Sequence, residues 1–123
     1  MKKVMVFGTF DILHKGHLSY FEQARKYGDY LIAVVARDKT VLKIKGKKPR
    51  NNEKKRLALV KEKADKALLG NIRDRYAAIK NIKPDVICLG YDQQASLLDL
   101  KKFNIPIRRL KPYNAHKYKS SKL

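Results

Sequence analysis

Cysteine is nearly absent: one residue, Cys88, in a chain of 123. No disulfide can therefore form within the chain. No apolar run approaches the roughly 18 residues that a membrane-spanning helix needs. The opening Met-Lys-Lys leads into only five apolar or small residues, too few for the core of a signal peptide. Internal repeats and low-complexity linkers are missing too, so residues 1–123 read as one domain, with 111–123 a basic tail. These absences exclude a disulfide scaffold and a helical membrane protein. They predict a cytoplasmic enzyme.

Acidic residues are also scarce. Eleven Asp and Glu face 30 Lys and Arg, for a net charge of +19. The excess is uneven. Residues 37–56 hold ten cations and two acids, and residues 101–123 hold eight cations and no acid, so 16 of the 19 charges fall in these two stretches. A nucleoside triphosphate carries about four negative charges and cannot need them all. The surplus reads either as solvated surface or as a draw for polyanions, nucleic acid among them.

What is present is an alternation of short apolar runs with helical patterns. Strands are predicted over Lys3–Phe7, Tyr30–Ala36, Lys66–Leu69, Val86–Leu89 and Ile105–Leu110. Helices are predicted over about Gly16–Lys26, after Asn51 or Asn52 with Glu53 in the first turn, over Ile72–Asn81 and over Gln94–Phe103. Arg37–Arg50 reads as a polar basic loop. Cys88 reads as a small buried hydrophobe inside Val86–Leu89. This order predicts a Rossmann-like, doubly wound α/β sheet of about five parallel strands with helices on both faces. Ligands of such sheets bind beyond the carboxyl ends of the strands, at the switch in strand order.

The most informative segment is Gly8-Thr9-Phe10-Asp11-Ile12-Leu13-His14-Lys15-Gly16-His17. It lies between the first strand and the first helix. A helix N-terminus has unpaired N–H groups and a partial positive charge, so it favours anions. His14 and His17 add donors there, and Gly16 leaves room for close approach. The residues describe a phosphate site with two titratable donors.

This segment resembles the HxGH signature of the nucleotidyltransferase superfamily, in its cytidylyltransferase-like form. Thr9, Phe10, Asp11, His14, Gly16 and His17 match it completely. The resemblance implies attack of an acceptor phosphate on the α-phosphate of a nucleoside triphosphate, with loss of pyrophosphate. It places His14 and His17 on the α- and β-phosphate oxygens. It implies Mg²⁺ arriving with the triphosphate, with Asp11 orienting either the metal or the loop, and it leaves a homodimer open. Thr9 and Phe10 would supply backbone to the pocket wall.

Further segments follow the same family pattern. In Lys43–Arg50, Lys43 and Lys45 correspond to lysines that close over the triphosphate, against the plain reading of a solvated basic loop. Arg56, with Glu53, matches an acid–arginine pair; it reads as a phosphate contact or as half of a helix-surface ion pair. Gly90 permits close approach to a base, and Asp92 reads as an acceptor for an exocyclic amine, as a helix N-cap, or both. Ser120 and Ser121 match a serine- and threonine-rich phosphate motif in which Lys119 departs from the usual hydroxyl. The Arg37–Arg50 stretch and Leu89–Gln93 look most like the archaeal FAD synthases, which transfer AMP from ATP to FMN. Bacterial glycerol-3-phosphate cytidylyltransferases, which use CTP, come next. The cysteine pair common in the archaeal group is absent here. Tyr91, Tyr113 and Tyr118 are candidate shelves for a flavin ring. A nucleic-acid-binding protein on the same scaffold is the reading from a different functional class.

Overall fold

Strands with apolar residues at every position have to be covered on both faces, and they are. The structure, a computed structural model, describes residues 1–11, 15–74, 76–89 and 103–110. Its elements are β1 (Lys3–Gly8), α1 (Lys15–Arg25), β2 (Tyr30–Val35), α2 (Asp38–Lys45), α3 (Glu53–Lys61), β3 (Lys66–Leu69), α4 (Ala77–Ile82), β4 (Val86–Leu89) and β5 (Ile107–Arg109). The five strands form one sheet in the order β3-β2-β1-β4-β5, and every pairing is parallel. Successive side chains alternate between the faces. Val4, Val6, Leu31, Ala33, Val35, Val86 and Cys88 pack with Phe21 and Ala24 of α1 and Val60 of α3. Met5, Ile32, Val34, Ile87 and Leu89 pack with Ala78 and Ile79 of α4.

From β1 the chain runs outward to β2 and β3, then crosses back to place β4 on the other side of β1. The switch point lies between β1 and β4, so the crevice opens beyond Gly8 and Leu89. At the opposite end, three aspartates stand one residue before a strand. Asp29 accepts the Lys2 N–H at 3.1 Å, Asp65 the Leu31 N–H at 2.8 Å, and Asp85 the Lys3 N–H at 2.7 Å. Each carboxylate thus reaches the start of the neighbouring strand and holds its register.

Two expectations need correction. Arg37–Arg50 is not all loop, because Asp38–Lys45 is helical. Val41 is buried against the protein, and Gly46 ends the helix in the left-handed conformation at φ 77°, its N–H bonded to the Leu42 carbonyl. The helix expected over Ile72–Asn81 starts only at Ala77. The Asn71 side chain instead accepts the N–H groups of Arg73 and Asp74, which favours turns over helix. The expected Gln94–Phe103 helix lies outside the described residues apart from Phe103, which sits in a turn.

Candidate functional site

The site begins where β1 runs out. Phe10 adopts φ 52°, an uncommon conformation for a bulky residue. Its ring folds back over the strand end and is 3% exposed. A Cβ on Gly8 would lie 2.6 Å from that ring, so the turn requires glycine at this position. The ring then meets His17 edge-on at 5.6 Å and Phe21 at 5.3 Å. His17 is the third residue of α1, and Gly16 precedes it in the first turn. Tyr20 donates to the Cys88 carbonyl at 3.0 Å, tying α1 to the end of β4. Burial of one aromatic ring thereby fixes an imidazole beside a helix N-terminus at the mouth of the crevice.

Asp11 follows the turn. Its carboxylate accepts the Arg50 and Asn51 N–H groups, both at 2.8 Å, while the Asn51 side-chain amide donates to the Asp11 carbonyl at 2.6 Å. The segment before α3 is thereby clamped to the loop after β1. Burial pushes the Asp11 carboxyl up. The Asn51 and Arg50 amides, with the charges of Arg56 and Lys45, outweigh it and leave the carboxyl below its usual value.

Arg56 lies beneath this clamp and is fully buried. Its guanidinium donates to the carbonyls of Asn51 (2.9 Å), Thr9 (2.9 Å) and Ala36 (2.7 Å), and to the Asp38 carboxylate (2.7 Å). Four segments thus converge on one cation: the β1 turn, the end of β2, the start of α2 and the start of α3. An arginine serves here because its planar fork addresses several acceptors at once. Arg56 is an ion-pair partner, but in the interior rather than on the helix surface.

Glu53 completes the arrangement. One carboxylate oxygen accepts the Asp38 N–H at 2.9 Å, at the start of α2, and the other pairs with Arg37 at 3.0 Å. Arg37 also donates to the Gly70 carbonyl at 2.7 Å. The first turn of α2 is thus anchored by charge, while its last turn carries exposed Lys43 and Lys45. Lys45 is near enough to Asp11 to act on its ionisation.

Thr9, Phe10, Asp11, Gly16, His17, Lys45 and Arg56 therefore gather at the carboxyl end of β1 and β2. Lys43 lies on the same helix as Lys45 but two positions away, on another side of it. His14, Gly90, Tyr91, Asp92, Tyr113, Tyr118, Ser120 and Ser121 lie outside the described residues. Asp38 and Asn51 were not singled out for the site from sequence, although both hold it. Asp38 in the first turn of α2 and Gly46 at its end are favourable end residues, but the carboxylate that accepts the Asp38 N–H comes from Glu53. Among the described residues no group of three or more His, Cys, Asp or Glu could hold a metal. A divalent ion that arrives on a triphosphate needs only one or two carboxylates. Asp11, ionised and with acceptor capacity left on each oxygen, fits that lighter demand. No helix among the described residues is long and apolar enough to cross a membrane.

Comparison with known proteins shows the family and the fold. A family model described as cytidylyltransferase-like matches residues 5–122. The chain is 39% identical over 120 residues to an FAD synthase of Aciduliprofundum boonei, covering 92% of this chain and 80% of that protein. It is 41% identical to an FAD synthase of Thermoplasma acidophilum, covering 98% and 90%. A crystal structure from Thermoplasma volcanium, described as a lipopolysaccharide core biosynthesis protein, superposes with a TM-score of 0.85 at 42% identity, covering 92% of this chain and 98% of that one.

Proposed function

The chain belongs to the cytidylyltransferase-like family and is a nucleotidyltransferase, and we propose that it transfers AMP from ATP to FMN, forming FAD and pyrophosphate. The observation that carries the reaction class is the complete Thr9–His17 motif at a strand-to-helix turn on the switch point of a parallel sheet. The relatives named FAD synthase support the choice of substrates. A reaction on ATP and FMN suits a cytoplasmic setting.

An FMN phosphate oxygen bonds to the α-phosphorus of ATP. The bond from that phosphorus to the bridging oxygen breaks, and pyrophosphate leaves with the electron pair. No protein nucleophile is required, so positioning and charge stabilisation supply the catalysis. His14 and His17 donate to phosphate oxygens as charge develops, helped by the N-terminus of α1. Lys45 and Lys43 neutralise the leaving pyrophosphate. Mg²⁺, held by the phosphates and Asp11, would supply further neutralisation. Gly90 and Asp92 receive the adenine, and Ser120 and Ser121 add donors to phosphate. Arg56 acts through Thr9 and Asp38 rather than on the substrate.

The test is product analysis by chromatography, with ATP or CTP offered against FMN or glycerol 3-phosphate. FAD and pyrophosphate are expected. CDP-glycerol as the efficient product, without FAD, would overturn the reading. His17→Ala should lower turnover by about 10² while leaving the circular dichroism spectrum unchanged.

A further inference from the structure

Helix α2 carries an apolar side chain where its geometry leaves it uncovered. At 3.6 residues per turn, the buried Val41 marks the side of α2 that faces the protein. Positions three and four further on fall on that same side, and they are Ile44 and Lys45. Yet Ile44 is 76% exposed. A scattered surface isoleucine would be ordinary. One on the inward stripe of a helix is different, because that stripe is normally the packed one. Gly46 stops the helix two residues beyond Ile44. What lies on that side is the Asp11 loop, whose ionisation Lys45 influences.

Sheet order divides the crevice. The phosphate-binding turn follows β1 at the centre. The carboxyl end of β4 lies on one side of it. Helix α2, which follows β2, lies on the other. A base held at β4 leaves the α2 side for the acceptor. We infer that Ile44 is the contact for the ring of the acceptor, with Lys45 beside it facing phosphate. The substrate class this face fits is a flat aromatic group carrying a phosphate. Glycerol 3-phosphate has no apolar surface to cover Ile44. The assignment rests on the transfer of AMP to FMN proposed above.

The experiment compares Ile44→Ser and Ile44→Leu with Ile72→Ser, the last an exposed isoleucine between β3 and α4. KM for FMN and for ATP is measured separately, and FMN binding is followed by quenching of flavin fluorescence. Ile44→Ser should raise the KM for FMN about tenfold, the usual effect of losing a small apolar contact in a pocket. The KM for ATP should not move, Ile44→Leu should stay close to the unaltered protein, and Ile72→Ser should change neither constant. A rise in the KM for ATP instead would give Ile44 to the adenine and overturn the inference. So would an unchanged KM for both substrates, or a change of oligomeric state as the sole effect of Ile44→Ser. If the unaltered protein makes no FAD, the transfer reaction itself fails, and that result is in hand before any variant is made.

Discussion

Asp11 is held by the fold at the place where the proposed reaction would use it. It binds two backbone amides and is ionised below the usual carboxylate range. An unfolded aspartate titrates near about 4. The folded carboxyl titrates lower, so the stability it contributes is complete above about pH 4 and is lost as pH falls through the folded value. Asp11→Asn keeps one acceptor and presents an NH₂ to the other amide. The variant should be less stable at pH 7 by about 1–2 kcal/mol, with the difference shrinking below about pH 4. Thermal melts of both proteins from pH 7 to pH 3 would show it, and a gap constant across that range would rule out the carboxylate charge as its source. Cys88 works in the opposite direction. Burial pushes its thiol up to about 11, against a small pull downward from Arg108. Its contribution is complete below the unfolded value of about 8.5 and is lost as pH rises toward the folded one. The native protein should leave a thiol reagent uncoloured at pH 8 and react only once denatured. The buried state of Cys88 was legible from its apolar neighbours. The burial of Arg56 was not, because its acceptors come from four separate segments that only the fold brings together.

At the scale of elements, the strands were readable and α2 was not. Val4–Phe7 and Leu31–Val35 are continuous apolar runs, and such runs have one common explanation in an α/β chain. In α2, five of eight residues are polar or charged, and its anchor is Glu53, fifteen residues beyond the Asp38 amide. Local pattern cannot display a cap supplied from another helix. The helical form of this segment separates two lysines that a loop would leave equivalent. Lys45 shares the inward side with Val41, and Lys43 does not. Lys45→Met should therefore raise the KM for ATP and lower turnover more than Lys43→Met does. Steady-state kinetics on the two variants decides the point, and equal losses would mean that the helix does not hold its orientation during turnover.

The whole molecule is a strongly cationic body. Its charge of +19 exceeds what a triphosphate and a phosphate acceptor can offset. The field should gather polyanions at low salt without regard to sequence. Duplex DNA should bind weakly at about 50 mM salt and be released by about 200 mM, while turnover of saturating ATP and FMN persists. A filter-binding salt titration run beside the activity assay would test this. DNA retained at 200 mM with sequence preference, together with absent transfer, would favour the nucleic-acid reading instead. The doubly wound fold was visible from the order of apolar and helical runs. The distribution of roles over its two ends was not, since it depends on which residues the sheet brings side by side.

Those two ends differ in what they can tolerate. Asp29, Asp65 and Asp85 pin the strands at the base, a full strand length from the crevice. The base therefore contributes stability apart from the proposed site, whereas at the mouth stability and the site share residues such as Asp11. An engineer could strengthen or tether the base, by added ion pairs or by immobilisation on a support, without disturbing the mouth. The reverse does not hold. At the mouth Gly8, Phe10, Asp11 and Arg56 interlock, and a change to one of them moves the others. Random libraries should accordingly return stabilised, active variants altered at the base and few altered at the mouth.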